Sequence, residues 1–399
     1  MGNHTISNGA KLYSLENDIN YSTELTDRIS GYNFLIINDH LPNTGVGKST
    51  FKTFSEMRKI GADITMLLPH QDKEYSFEGV ETQLRPKPLR GIKKHGLPFE
   101  LLSYYYFPRR APEGYSLYHV SSQMLGRYCA FLDPTVVTCC DSIAFRVEHN
   151  HNKFPQHLLK KHFCDIKKSN RIVFVSEHAR KDYLDLFDYD PDKTKIIHNG
   201  IDRDEFTPGD KTMAREYLDL PQDAVIILNV GSEDPRKNMQ TLMRSFERVR
   251  RNVDNGLLIR VGAKRDETTS IIYELGLEND VLRTGPVSEE ELISYYRAAD
   301  VLCFPTCYEG FGMPVLEAFA TELPVVSSNT TSLPEVAGGA ALMTDPMDVE
   351  GMASNIEKVL DDNTLRSELI QKGTKRVANF SWENAAKETL ELYADVLSK

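Results

Sequence analysis

No apolar run in this sequence approaches the roughly 20 residues needed to cross a bilayer. The polar start, MGNHTISNGAKLYSLEND, also lacks the apolar stretch of a secretory signal. A cytoplasmic protein is expected. Gly2 invites a myristoylation reading, but position six is Ile6 rather than Ser or Thr and the pattern fails. Basic charge is scarce: 47 Lys and Arg stand against 58 Asp and Glu, and the net charge of −11 speaks against a general nucleic-acid binder, which needs a basic field. The cysteines Cys129, Cys139, Cys140, Cys164, Cys303 and Cys307 show neither metal-ligand spacing nor a dense disulfide framework, so reduced thiols are expected. Hydrophobic and charged fractions of 40% and 26% are ordinary for a globular chain, and 399 residues exceed one ordinary core. Two domains are expected.

Several tempting motifs fail. GVGKST resembles the end of a phosphate-binding P-loop, but the first glycine would have to stand where Pro42 is. The same loop offers Thr50 where a dinucleotide fingerprint wants a third small residue. DYDPD, from Asp188 to Asp192, has Lys193 in the glycine position and Asn199 in the glutamate position of a calcium loop, and reads as a turn. His149-Asn150-His151 has no third ligand at a recognisable spacing. No metal site is expected.

What the chain does have is a regular alternation of strand and helix, which favours parallel α/β sheets. Strands are predicted at Asn33–Ile37, Asp63–Leu68, Leu117–Val120, Thr135–Thr138, Arg171–Val175 and Lys195–His198, with helices including Gly47–Ile60 and His157–Lys168. The second half repeats the plan at Val225–Val230, Leu257–Val261, Val281–Arg283, Val301–Phe304 and Pro324–Ser327, with a capping box of Ser288 and Glu291. The expected architecture is two doubly wound, Rossmann-like domains facing across a cleft, with ligands beyond the strand carboxyl ends. Residues 1–30 form a polar extension, 31–205 the first domain, 206–380 the second and 381–399 a terminal helix. The linker is expected near Asp202–Gly209, where charge, Pro and Gly interrupt the periodicity. The terminal helix, which carries the sole tryptophan, Trp382, either crosses back onto the first domain or caps the second.

The most informative stretch is PTCYEGFGMPVLE, from Pro305 to Glu317. A short apolar strand precedes it, and Pro314 suits a first helical position, where its missing N–H costs nothing. The spacing predicts a strand, a Gly-Phe-Gly turn and a helix. Gly310 and Gly312 would let backbone amides approach a ligand closely, and the helix start favours a phosphate. Glu317 is expected in the first helical turn, where two oxygens suit the hydroxyls of a ribose; Glu309 would face hydroxyls beyond the phosphates.

EGFGMPVLE, with its Glu-x7-Glu spacing, and the following PVVSSNTTSLPEVAGGAALMTDP resemble the donor-site signature of family 4 retaining glycosyltransferases. NVGSEDPRKNMQTLMRSF, from Asn229 to Phe246, is similar to that family's second donor element. Gly231 lies in its loop, and Arg236 and Lys237 match the cations that hold the donor diphosphate. KIIHNGIDRDEF, which contains Asn199, resembles the Asn-Gly-x-Asp segment closing the first domain, and RIVFVSEHARKDY a strand and Ser-bearing turn before it. IINDHLPNTGVGKST resembles the first strand and glycine loop, which places Gly45 and Gly47 near the transferred sugar and acceptor. VVTCCD departs from the pattern: Cys140 stands where the family commonly has a histidine, while Asp141 is retained. His149 offers a weak substitute, and a purely structural Cys140 is the preferred reading.

The resemblance implies a GT-B fold and transfer of a hexosyl group from a UDP- or GDP-sugar, with retention and no metal cofactor. Arg236, Lys237 and Glu309 would be catalytic; Gly45, Gly47, Gly231, Gly310, Phe311, Gly312 and Glu317 would bind donor; Asp141 and Asn199 would lie on the sugar and acceptor side. The acceptor stays open among a glycan, a lipid-linked molecule and a small molecule. Lys93-Lys94 and the aromatic segment Gly96–Arg110 could lean on an anionic membrane, or form a partly buried segment with snorkelling arginines. A nucleotide-sugar epimerase of the same plan and a non-catalytic nucleotide-sugar binder remain the alternatives.

Overall fold

The computed structural model describes residues 24–41, 44–68, 81–84, 105–147 and 156–399. His149, His151, the Lys93-Lys94 pair, most of Gly96–Arg110 and most of the N-terminal extension lie outside the described residues.

The first sheet contains β1 (Asn33–Ile37), β2 (Asp63–Leu68), β3 (Glu81–Leu84), β4 (Leu117–Val120), β5 (Thr135–Cys139), β6 (Arg171–Phe174) and β7 (Thr194–Ile196). Its order is β3-β2-β1-β4-β5-β6-β7, and every pairing is parallel. The second contains β8 (Val225–Val230), β9 (Gly256–Val261), β10 (Val281–Gly285), β11 (Val301–Phe304), β12 (Val325–Ser328) and β13 (Leu342–Thr344), in the order β10-β9-β8-β11-β12-β13, again wholly parallel. Parallel strands covered on both faces need near-continuous apolar runs, which NFLII in β1 and VIILNV in β8 supply. β3 and β13 were not expected from the sequence. Both are edge strands, and β13 is only half-buried, so neither carries a strong apolar pattern. β7 ends at Ile196 rather than His198, which leaves His198 and Asn199 on the loop beyond the strand.

The helix Gly45–Ile60 starts two residues earlier than its apolar pattern suggests, because Thr44 caps it by accepting from Gly47 N at 3.1 Å. This helix and the terminal helix Trp382–Leu397 share one face of the first sheet. Ala385, Ala386, Leu390 and Tyr393 are buried there with Phe34, Phe51 and Phe54. The chain therefore passes between the domains twice, after β7 and before Trp382. The two passages touch: a Cβ added to Gly200 would lie 2.1 Å from Trp382 N, so only glycine fits. A second buried cluster continues from Val137 and Phe174 of the first domain to Phe304 and Phe311 of the second, binding the two sheets across their contact.

Candidate functional site

The carboxyl ends of both sheets meet at one cavity of 290 Å³. Gly45, Asp141 and Asn199 line it from the first domain; Arg236, Lys237, Glu309, Gly310, Phe311 and Gly312 line it from the second. Gly47, Gly231 and Glu317 are not among its lining residues.

The cationic pair is held by local turn geometry. Asp234-Pro235 opens a short 3-10 turn, and Asn238 at φ 56° caps the helix Met239–Arg250 by accepting from Thr241 N at 3.3 Å. Asn238 Nδ2 also donates to Pro305 O at 3.1 Å and Pro346 O at 2.6 Å, while Cys307 N donates to Arg236 O at 2.7 Å. These bonds fasten the turn to the loops that leave β11 and β13. Glu309 on that loop accepts from Lys237 Nζ at 2.6 Å and from Arg236 Nη1 at 3.0 Å. Burial pushes the Glu309 carboxyl up, but the two cations outweigh it and hold the group below its ordinary value. Burial also draws the Lys237 ammonium down, against the pull of Glu309. The expected sugar-facing carboxylate is thus an ion-pair partner in this structure.

Two expectations about the next helix need correction. Met313, not Pro314, opens the helix Met313–Ala320, capped by Gly312 at φ 115°. Glu317 is its fifth residue and lies beyond the first turn. One of its oxygens is already occupied, since Tyr296 Oη donates to Oε2 at 2.6 Å. Burial raises the Glu317 carboxyl, opposed by that bond and by Lys48 and Lys237. Phe311, expected against the donor, is only 5% exposed and packs with Phe380 at 5.9 Å and His198 at 6.0 Å between ring centroids. Gly47 is shut in beneath the loop, where an added Cβ would meet Leu41 O at 1.8 Å. Gly231 stands behind Lys237, whose Nζ would lie 3.4 Å from a Cβ there.

Asp141 and Cys140 sit against the donor loop: a Cβ on Gly310 would lie 2.5 Å from Cys140 O. Burial pushes both the Asp141 carboxyl and the Cys140 thiol up, so the thiol stays protonated. Gln123 Oε1 accepts from Cys140 N at 3.1 Å.

Sequence reasoning missed several charged and titratable groups. His119 on β4 lines the cavity, with Nε2 2.8 Å from Thr138 Oγ1 and Nδ1 bonded to the hydroxyl of Tyr393; burial draws it down to about 3, so it is neutral. Lys48 bonds Glu289 of the second domain. Buried Glu233 accepts from Arg283 at 2.5 and 2.8 Å and from Arg265 N at 2.6 Å, and buried Arg260 bonds the carbonyls of Gly231 and Val261. The signal was present: Arg260 and Arg283 interrupt the apolar strands GLLIRV and VLRTG.

Two wholly parallel sheets with a carboxylate-paired cation site between them define a two-domain glycosyltransferase of the GT-B type. Residues 43–205 match Glycosyltransferase Family 4, and residues 210–376 match Glycosyl transferases group 1. The chain belongs to this family 4, group 1 glycosyltransferase family. It is similar to the O-antigen chain mannosyltransferase B of Escherichia coli, 29% identical over 269 residues that span 66% of this chain and 70% of that protein. In fold it resembles a sucrose-phosphate synthase from Thermosynechococcus elongatus, with a TM-score of 0.78 and 22% identity over 92% of this chain and 99% of the other. HepE of Anabaena, solved in complex with UDP and glucose, aligns with a TM-score of 0.74 and 16% identity over 91% of this chain and 100% of the other. Among the described residues no helix is long and apolar enough to cross a membrane.

Proposed function

We propose that this glycosyltransferase moves a hexosyl group from a UDP- or GDP-sugar to a glycan, lipid-linked or small-molecule acceptor, with retention and without a divalent metal. The observation that carries this reading is the pairing of Arg236 and Lys237 with Glu309 at the cavity, beside the glycine-capped start of the helix Met313–Ala320. Departure of a nucleoside diphosphate leaves negative charge on phosphate while positive charge develops on the sugar. Fixed cations and free helix amides stabilise that phosphate as its charge grows, and preorganised terms of this kind usually dominate rate enhancement.

The acceptor oxygen forms its bond to the anomeric carbon on the face from which the phosphate departs. The bond from that carbon to the phosphate oxygen breaks, and the departing oxygen takes the acceptor's proton. Glu309, held by its two cations, would accept from hydroxyls of the transferred sugar through its remaining lone pairs, and Glu317 from a ribose hydroxyl through the oxygen that Tyr296 leaves open. Asp141 and Asn199 would face the sugar and acceptor from the first domain. The arrangement supports metal independence because the cations Arg236 and Lys237 are built into the turn.

A thermal-shift screen of UDP- and GDP-sugars tests the donor class, because a ligand that binds only the native state raises its melting temperature. One nucleotide series is expected to raise it, and the anomeric proton coupling of the product reads the stereochemistry. No shift with either series would remove the donor assignment.

A further inference from the structure

The helix Glu177–Leu186 of the first domain is gripped by the second domain at three points. At its start, Glu335 accepts from Glu177 N at 2.9 and 3.0 Å, from His178 N at 3.4 Å, and from His198 Nε2 at 2.8 Å. The amides that a helix start leaves unpaired are thus satisfied by a carboxylate from the other domain, next to Ser176. Ser176 Oγ accepts from Ala179 N at 3.0 Å and donates to the carbonyl of Gly310 at 2.7 Å. One turn on, Asp182 accepts from the hydroxyl of Tyr308 at 2.6 Å, and Ser142 N donates to the same hydroxyl at 3.4 Å.

These contacts converge on one short segment. Tyr308 and Gly310 are the two neighbours of Glu309, and each is bonded to this helix or its cap. Ser332 Oγ completes the fixation from the second domain by donating to Glu309 O at 3.0 Å and Phe311 O at 2.7 Å. Burial pushes the Tyr308 hydroxyl well above its ordinary value, which keeps it a donor. Asp182 is in turn flanked by Arg146 Nε at 3.2 Å and His178 Nε2 at 3.4 Å, so its carboxylate is held in place for Tyr308. A clasp made this way exists only while the domains are apposed, whereas Arg236, Lys237 and Glu309 all belong to the second domain and can bind a nucleotide without it.

We propose that Ser176, Asp182 and Glu335 are positioning residues that form a cross-domain clasp, setting the loop Tyr308–Gly312 for transfer when the two domains close. The proposal rests on the reading of Glu309 as a donor-contacting group. None of the three need touch the substrate. Their work is to convert domain apposition into a fixed position of Glu309 and of the amides around Gly310, and a misplacement there weakens catalysis more than binding.

The test uses Tyr308→Phe, which removes only the hydroxyl that donates to Asp182, and Glu335→Gln, which removes the charge at the helix start. Binding of UDP and of GDP is measured by calorimetry, sugar transfer by release of the nucleoside diphosphate, and folding by melting. Each variant is expected to lower kcat about tenfold or more while the nucleotide Kd stays within about twofold of the parent. Asp182→Asn added to Tyr308→Phe should produce little further loss, because partners in one contact are not additive. Small-angle scattering of the nucleotide-bound protein should show the variants more extended than the parent. Unchanged kcat in both variants, or losses that simply multiply in the double variant, would overturn the clasp. Should Tyr308→Phe fail to fold, Glu335→Gln carries the same kinetic comparison. Failure of the parent to consume any UDP- or GDP-sugar would sink the donor reading instead, and the scattering comparison would still decide whether the clasp exists.

Discussion

Lys237 Nζ lies 2.6 Å from Glu309 Oε1, and the two residues stand on different loops, one after β8 and one after β11. The pair makes the cation of one loop dependent on the carboxylate of the other. Substituting Lys237 with alanine removes the buried ammonium and leaves Glu309 with Arg236 alone. Lys237→Ala is expected to lower kcat by about two to three orders of magnitude while folding survives. Undiminished turnover at saturating donor would exclude Lys237 from leaving-group stabilisation.

Glu317 is tied to Tyr296, so its removal has two consequences that separate experimentally. Loss of a charge-assisted bond to ribose, worth ~1.5–3 kcal/mol, should weaken nucleoside diphosphate binding in Glu317→Ala. The orphaned hydroxyl of buried Tyr296 should also lower the melting temperature of the free protein. Tyr296→Phe combined with Glu317→Ala should recover part of that stability and none of the affinity. Calorimetry that finds the same Kd in Glu317→Ala and parent would assign Glu317 to packing.

Protein stripped with EDTA and assayed in chelator is expected to keep most of its transfer activity, since Arg236 and Lys237 line the cavity and carry fixed positive charge. Activity that vanishes and returns only with magnesium or manganese would refute Arg236 and Lys237 as sufficient leaving-group stabilisers.

His119 is buried and neutral, with its folded value drawn from 6.5 to about 3. Below pH 6.5 the unfolded chain binds a proton that the native state refuses, so this group lowers stability as pH falls from 6.5 towards 3. The slope approaches about 1.4 kcal/mol per pH unit in that window. In His119→Gln the term is gone. Urea titrations across the window should show the parent losing stability to acid more steeply than the variant; parallel curves would mean that the imidazole protonates in the folded protein.

Gly310 has no room for a side chain, because a Cβ there would meet Cys140 O at 2.5 Å. Gly310→Ala should prevent the donor loop from seating against the first domain and lower transfer about a hundredfold, the scale of an ångström-sized misplacement. Nucleoside diphosphate affinity, assigned to Arg236 and Lys237, should change little. A variant with parental kcat would show that the loop need not touch Cys140.

Much of this was legible in the sequence because it depends on local pattern. Apolar runs marked β1, β2, β4, β8 and β11 almost to the residue, and Ser288 with Glu291 formed its box as spaced, with Glu291 N donating to Ser288 Oγ at 3.2 Å. β13 escaped because a half-buried edge strand needs no strong periodicity. Glu317 was misplaced by one residue, just past the first turn, since the helix start depends on where Gly312 turns left-handed. The ion pairing of Glu309 with two cations and the partners of Arg260 were illegible for another reason. They depend on neighbours across strands, such as Arg283 in register with Arg260, and no spacing along the chain records that.

The return of the helix Trp382–Leu397 to the first domain also bears on the order in which the protein can be built during synthesis. Residues 24–199 emerge from the ribosome before the second sheet, yet Phe34 and Phe54 share a buried cluster with Leu390 and Tyr393. The first half thus waits with an open apolar face while the second half is translated. The domain begun first is finished last, and a nascent chain halted inside the second domain would display that face to chaperones.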